Sequence, residues 1–235
     1  MAQLQRLAIA STQLQHERIL LTPEQQHYLN RVLRLREGDR FVAMDGQGKS
    51  WLAVISADCA QIIDSIVVAS ELPIAVTLIL ALPKGNSFDD VVRCCTEIGV
   101  GCIIPTISDR TLLQPSPQKV ERWRRIATEA AEQSERGIVP TILTPVSLIA
   151  ALKSTAPHRY ICVTRQTQFP HLKSVLDPTA SEIAIAIGPE GGWTPQEVDA
   201  AIASGFHPVS LGQRILRAVT APIVAMSLVA AAYDG

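Results

Sequence analysis

Up to about residue 72, apolar side chains come in short bursts broken by turn formers. Pro23 to Leu35 has helical spacing, and Arg40-Phe-Val-Ala-Met44 then runs toward Asp45-Gly46. Trp51-Leu-Ala-Val-Ile55 resumes after Gly48, which together with the preceding run is the signature of a β-hairpin. Ile62 to Val68 adds one more apolar run, and Glu71-Leu72-Pro73 punctuates. Beyond that point the pattern changes to strands alternating with helices, so a domain boundary is expected there.

The second part opens with a strand at Val76–Leu82, followed by Phe88, Val92, Cys95 and Ile98 at helical spacing up to Gly99. Gly101 to Ile107 is the next strand, and a long helix is expected from about Gln118 to Glu135. A short helix near Ser147–Lys153, a strand from Tyr160 to Val163 and a strand from Glu182 to Gly188 follow. The last of these is apolar at nearly every position, as a strand covered on both faces must be. Thr194-Pro195-Gln196-Glu197 reads as a capping box with proline at the first helical position, starting a helix that runs to Gly205. Pro208–Leu211 is a last strand and Thr220–Tyr233 a last helix. That helix carries Ala221, Ile223, Val224, Ala225, Met226, Leu228 and Val229, apolar around most of its circumference, which predicts burial on more than one side and hence a homodimer.

Composition narrows the function classes. With 235 residues, 47% of them apolar and 18% charged, the chain is globular and long enough for a core without disulfides or metals. Lys and Arg total 21 against 22 Asp and Glu, so no global positive field holds a nucleic acid, and any such binding must come from local patches. Residues 1–36 form one patch, with Arg6, Arg18, Arg31, Arg34 and Arg36 against Glu17 and Glu24. The five cysteines include no CxxC pair and none lies at zinc-ligand spacing from a histidine, so no metal site and a reducing compartment are expected. Met1-Ala-Gln-Leu-Gln-Arg6 lacks the pattern of a signal peptide, and no apolar stretch is long enough to span a bilayer, so the reading is cytoplasmic and membrane-free.

Four segments carry candidate chemistry. Gly46-Gln-Gly48-Lys49-Ser50 has the end of a phosphate-binding loop, but Ala43 stands where the pattern needs glycine and strands flank it, so it reads as a hairpin turn. Gly188-Pro189-Glu190-Gly191-Gly192 lies between a buried strand and a capped helix, where open α/β sheets place their ligands. Glycines alone would mean only a tight turn; Glu190 adds a carboxylate that repels pyrophosphate and favours a cationic or neutral nucleoside. Leu211-Gly-Gln-Arg-Ile-Leu-Arg217 leaves a strand and enters the last helix, and by itself would be a surface loop with two solvated arginines. Glu129-Ala-Ala-Glu-Gln-Ser134 ends the long helix, with Arg136 favourably placed near its C-terminus.

Together with His27-Tyr-Leu-Asn-Arg-Val-Leu-Arg-Leu-Arg-Glu-Gly-Asp39, Leu82-Pro-Lys-Gly85 and Thr96-Glu-Ile-Gly-Val100, these segments resemble the 16S ribosomal RNA uracil-N3 methyltransferases of the SPOUT superfamily. The likeness covers nearly the whole chain, in order. It implies an α/β fold with a PUA-like β-barrel over residues 1–72 for RNA docking and a SPOUT methyltransferase domain over 73–235. That domain would be closed by a trefoil knot, against the general rule that chains avoid knots. S-adenosylmethionine is the implied cofactor. By motif match it would be bound by Val163 and Thr164, by Gly188, Pro189, Glu190 and Gly191, and by Leu211, Gly212, Ile215, Leu216, Arg217 and Thr220. The implied partners are 16S ribosomal RNA in the assembled small subunit, contacted through Arg6, Arg31, Arg34, Arg36 and Lys84, and a second copy of the chain.

The chain departs from the family pattern at Val219, where an acid is usual, and at Ile138, where a second arginine is usual. Methyl transfer is an in-line displacement, so the protein mainly positions donor and acceptor. Uridine N3 must lose a proton, which calls for a base or for cations that stabilise the anion. Arg217 and Arg136 are the cationic candidates and Glu190 the orienting group, while no histidine stands out as a base. Two other readings stay open: a related knotted enzyme acting on ribose 2′-OH or another base, and an RNA-binding protein whose cofactor pocket has degenerated. A dinucleotide-dependent enzyme is opposed by Glu190 and the lack of GxGxxG.

Overall fold

A computed structural model describes residues 4–85, 87–111, 114–153, 156–164 and 168–234, so Met1–Gln3 of the N-terminal reading lie outside it. The chain divides into two units, one formed by Met1–Glu71 with Ala131–Val139, the other by Leu72–Ala130 with Pro140–Gly235. The second part expected from the sequence is thus interrupted, because residues 131–139 return to the first unit.

In the first unit β1 (Arg6–Ala8), β2 (Leu14–Gln15), β3 (Arg18–Leu20), β4 (Arg40–Met44), β5 (Ser50–Ser56) and β6 (Cys59–Ile66) form one sheet in the order β1-β4-β5-β6-β3-β2. The β4–β5 turn is the expected hairpin: Asp45 Oδ1 accepts the N–H groups of Gln47 (2.8 Å) and Lys49 (3.0 Å). Leu7, Ile19, Leu29, Phe41, Ala53, Ile55 and Ala60 make its core. The single helix expected over Pro23–Leu35 is instead α1 (Pro23–His27), capped by Thr22 and Gln25, followed by a π-turn over Tyr28–Val32. Leu33 N–H reaches back five residues to Tyr28 O, and Arg34 turns left-handed at φ 58°, ending the helical path. Leu29 stays in the core while Arg31, Arg34 and Arg36 remain exposed.

One carboxylate holds the returning segment. Glu71 Oε1 accepts the N–H groups of Gly137 and Ile138, each at 2.9 Å, and its Oε2 accepts Arg136 Nη2 at 2.7 Å and Nε at 3.1 Å. The Arg136 side chain is only 3% exposed.

The second unit contains β7 (Ala75–Ala81), α2 (Phe88–Glu97), β8 (Cys102–Ile107), α3 (Pro117–Gln133, whose end lies in the first unit), β9 (Thr141–Ile142), β10 (Val146–Ser147) and α4 (Leu148–Ala151). These are followed by β11 (His158–Cys162), α5 (Leu172–Val175), β12 (Glu182–Ile187), α6 (Pro195–Ala203), β13 (His207–Val209) and α7 (Thr220–Tyr233). The strands pair in the order β10-β8-β7-β12-β11-β13, with β9 beside β8, and every pair is parallel. Ile183 through Ile187 are all buried, as the apolar run requires. Ile79, Ala81, Ala184 and Ala186 pack with Leu148, Ala151, Trp193, Ala201 and Phe206, so α4 and α6 cover one face. Leu80 and Ile187 meet Phe88, Val91 and Pro222 of α2 and α7 on the other. Asp89 fastens α2 to α3 by accepting Trp123 Nε1 (2.9 Å) and Arg122 Nε (2.8 Å). Pro222, Ala225, Met226 and Val229 of α7 are buried, while Ile223, Val224 and Leu228 are half-buried. Among the described residues no helix is long and apolar enough to cross a membrane.

The two partners of the Glu71–Arg136 pair should respond unequally to deletion. Glu71→Ala removes the carboxylate that the buried Arg136 guanidinium and the Gly137 and Ile138 amides share, and should cost about 3 kcal/mol. Arg136→Ala leaves a carboxylate that still has two amide donors and some access to water, so it should cost clearly less. Urea unfolding of both variants checks the order.

Candidate functional site

Because the strands of the second unit run parallel, the loops after β7, β8, β11, β12 and β13 all leave the same edge of the sheet. The chain turns from β7 toward β8 on one side, and from β12 over β11 toward β13 on the other. The switch point therefore lies between β7 and β12, where doubly wound sheets open a ligand crevice.

The turn after β12 sits on that crevice. Gly192 N–H bonds to Pro189 O at 2.8 Å and closes the turn. Glu190 stands at its tip, exposed, and its Oε1 accepts the backbone N–H of Lys84 at 3.0 Å. The carboxylate thus bridges the exits of β7 and β12. Lys84 presents its side chain to solvent, and Lys119 Nζ donates to Gly85 O at 3.1 Å from α3. A Cβ on Gly188 would meet the Trp193 ring at 3.2 Å, and one on Gly191 would meet Arg110 Cδ at 3.0 Å. These two glycines are needed for close approach of neighbouring side chains.

Two further strand exits join this turn. Val163 N–H donates to Val209 O at 2.9 Å, and Thr164 Oγ1 lies 4.0 Å from the position a Cβ on Gly192 would take. Cys162, which ends β11, has its thiol pushed up to about 12 by burial, so it stands there as a neutral thiol. Leu211 and Leu216 are half-buried, whereas Gly212, Ile215, Arg217 and Thr220 are exposed. Ala218 is buried and lines a recess with Gly188, Pro83 and Pro222, which brings the third segment against the first. Arg217 O accepts the N–H groups of Thr220 and Ala221 (2.9 Å each) and so starts α7, while its guanidinium has no partner among the described residues. Val219 occupies the position just before α7, where a family acid would sit at the positive end of the helix.

Sequence reasoning missed a set of supports. Glu197, 7% exposed, accepts Thr194 N–H at 2.7 Å and Asp109 N–H at 2.9 Å, so the capping carboxylate of α6 also holds the exit of β8. Thr194 Oγ1 donates to Asp109 Oδ2 at 3.3 Å, and Arg110 Nη1 donates to Gly191 O. The buried indole N–H of Trp193 has no acceptor among the described residues. The capping box was legible, but nothing local to Asp109-Arg110 announces a partner more than eighty residues away.

The predicted RNA-contact residues do not share one fate. Arg31, Arg34 and Arg36 are exposed in the first unit. Arg6 is largely buried and pairs with Glu135 at 3.0 Å. Arg136, proposed from the sequence as a catalytic cation, is buried in the first unit with Glu71 across its guanidinium, so its charge is neutralised within the fold.

Comparison with known proteins agrees with this architecture. Residues 70–230 match an RNA methyltransferase domain and residues 21–58 an RNA methyltransferase PUA domain. A ribosomal RNA small subunit methyltransferase E of Synechocystis sp. is 45% identical over 97% of this chain and 78% of its own. One from Bacillus subtilis is 32% identical over 89% and 88%. The structure superposes with a TM-score of 0.87 on the Neisseria gonorrhoeae ribosomal RNA small subunit methyltransferase E bound to S-adenosyl methionine, at 29% identity and 96% coverage of both chains. A Legionella pneumophila chain solved with the cofactor SAM bound gives a TM-score of 0.87 at 27% identity, covering 98% of both chains. With this likeness running through both units, the chain belongs to the ribosomal RNA small subunit methyltransferase E family.

Proposed function

We propose that this chain methylates N3 of a uridine in 16S ribosomal RNA with S-adenosylmethionine as methyl donor, in the cytoplasm and as a homodimer. The observation that carries the reading is the crevice between β7 and β12, rimmed by the Glu190 carboxylate and the tight glycine turn that carries it. The residues fit the cofactor. Glu190 keeps its second oxygen for a cation, Gly212 leaves its backbone approachable, and the Trp193 N–H is a buried donor without an acceptor among the described residues. Val163, Thr164, Pro189, Leu211, Ile215, Leu216 and Thr220 complete the walls. The cofactor supplies a methyl group on a positively charged sulfur.

Glu190 orients that charge, and Arg217 stabilises the uridine as negative charge develops on the ring. Arg31, Arg34, Arg36 and Lys84 draw in the RNA backbone. Arg136 and Arg6 are left out because each is paired inside its unit. The segment ahead of α5 lies alongside the end of β13, with Leu172 N–H donating to Ser210 O and Ser210 N–H to Pro170 O, both at 2.9 Å, and a trefoil knot in this unit is part of the reading. The mixed sheet of the first unit supports a PUA-like barrel. The half-buried Ile223, Val224 and Leu228 of α7 support the dimer, which light scattering tests; a monomer with full activity at the same concentration overturns it.

Calorimetry with S-adenosylmethionine, followed by mapping of the methylated base by mass spectrometry on RNA from cells lacking the gene, tests the activity. Val219 favours the reading of an RNA-binding protein with a degenerate pocket, and absence of cofactor binding in the wild type would establish that alternative.

Glu190→Gln keeps an acceptor for Lys84 N–H and removes only the charge. It should weaken S-adenosylmethionine several-fold and the uncharged-sulfur product S-adenosylhomocysteine less, with RNA affinity unchanged; calorimetry on both ligands reads the difference. Arg217→Ala should lower single-turnover rates on the order of 10²–10³-fold while RNA affinity changes little. The loss should shrink as pH rises and uridine deprotonates unaided, and Arg217→Lys should recover only part of it. A defect confined to RNA affinity removes Arg217 from the catalytic set.

A further inference from the structure

Immediately before the short helix α5, His171 is held by its backbone and by one nitrogen of its ring. Its backbone lies beside β13, where His171 bridges Ser210 and Leu172 N–H donates to Ser210 O. Its Nδ1 accepts the N–H of Lys173 at 3.2 Å. A ring nitrogen that accepts cannot carry the proton, so in the neutral imidazole the proton sits on Nε2. His171 therefore presents a donor, not a base.

Gly212 holds a φ of +114°, and Ser210 locks it there: Gly212 N–H donates to Ser210 Oγ at 3.0 Å while the Ser210 hydroxyl donates to Gly212 O at 3.2 Å. Among the described residues, a side chain built on Gly212 would meet a single atom within 4 Å outside its chain neighbours, and that atom is His171 Nε2 at 3.9 Å. The face over Gly212 is thus open, exposed, and edged by one N–H that has no partner among the described residues.

We propose that His171 is a cofactor-binding residue whose Nε2–H donates to an acceptor atom of S-adenosylmethionine lying over Gly212. The proposal rests on the reading of the site given above, and it assigns a residue that no motif pointed to. Capping α5 explains Nδ1 alone, since a side chain with one acceptor would do that work. The second nitrogen is what the cap does not need.

Calorimetry on the full chain with S-adenosylmethionine and with S-adenosylhomocysteine tests it, because the two ligands share every nitrogen and oxygen acceptor and differ in the sulfur charge. His171→Ala should weaken both by about 3- to 10-fold, the worth of one neutral hydrogen bond. His171→Asn keeps a good cap for Lys173 but loses the ring nitrogen over Gly212, so it should show the same loss with an unchanged melting temperature. In the wild type, nitrogen-15 spectra should place the His171 proton on Nε2 and shift that signal when the cofactor is added. Wild-type affinity in the Asn variant, or a shift produced by RNA and not by cofactor, overturns the proposal. A wild type that binds neither ligand overturns the functional reading along with it, so the two failures are told apart.

Discussion

Every pair in the larger sheet is parallel, and this direction decides where chemistry can happen. Parallel strands need crossovers, the crossovers cover both faces, and the carboxyl ends are left as the one place where several loops meet. The turn at Gly188–Gly192, the Lys84–Gly85 loop, the Asp109-Arg110 turn and the Leu211–Arg217 segment share that edge although they are scattered over more than a hundred residues. Hydrogen bonds then convert proximity into a defined shape. Glu190 joins two exits, Glu197 joins a third to the start of α6, and Arg110 reaches the turn from the side. A carboxylate as buried as Glu197 is tolerable only because two amide groups solvate it.

What the sequence disclosed followed the range of the interaction. The strand at Glu182–Ile187, the capping box at Thr194–Glu197 and the hairpin at Asp45–Lys49 have signatures within a few residues, and each stands where the pattern puts it. The π-turn at Tyr28–Val32 was hidden because it has the same apolar spacing as the α-helix it interrupts. Arg110 on Gly191, Glu71 on Arg136 and His171 beside Gly212 were illegible for another reason. Each joins positions far apart in sequence, and neither residue type nor spacing encodes such a pairing.

Charge counting shows the same limit. Five arginines in the first 36 residues read as one basic patch, yet Arg6 is neutralised by Glu135, and the exposed cations gather instead around the π-turn at Arg31, Arg34 and Arg36. In a chain of net charge −1, such a cluster acts only over about a Debye length, near 8 Å at physiological salt. It therefore orients an RNA already close by and does little to attract one from afar.

The return of residues 131–139 to the first unit bears on how the chain is made. The small unit lacks a part of itself until synthesis has passed through residues 72–130 of the other. At roughly 5–20 residues per second, that stretch takes about 3–12 s to emerge. Until then Glu71 has neither the Arg136 guanidinium nor the two amides to accept from, and the first unit waits on the ribosome in an unfinished form. Here the smaller unit is completed only after much of the larger one has been made.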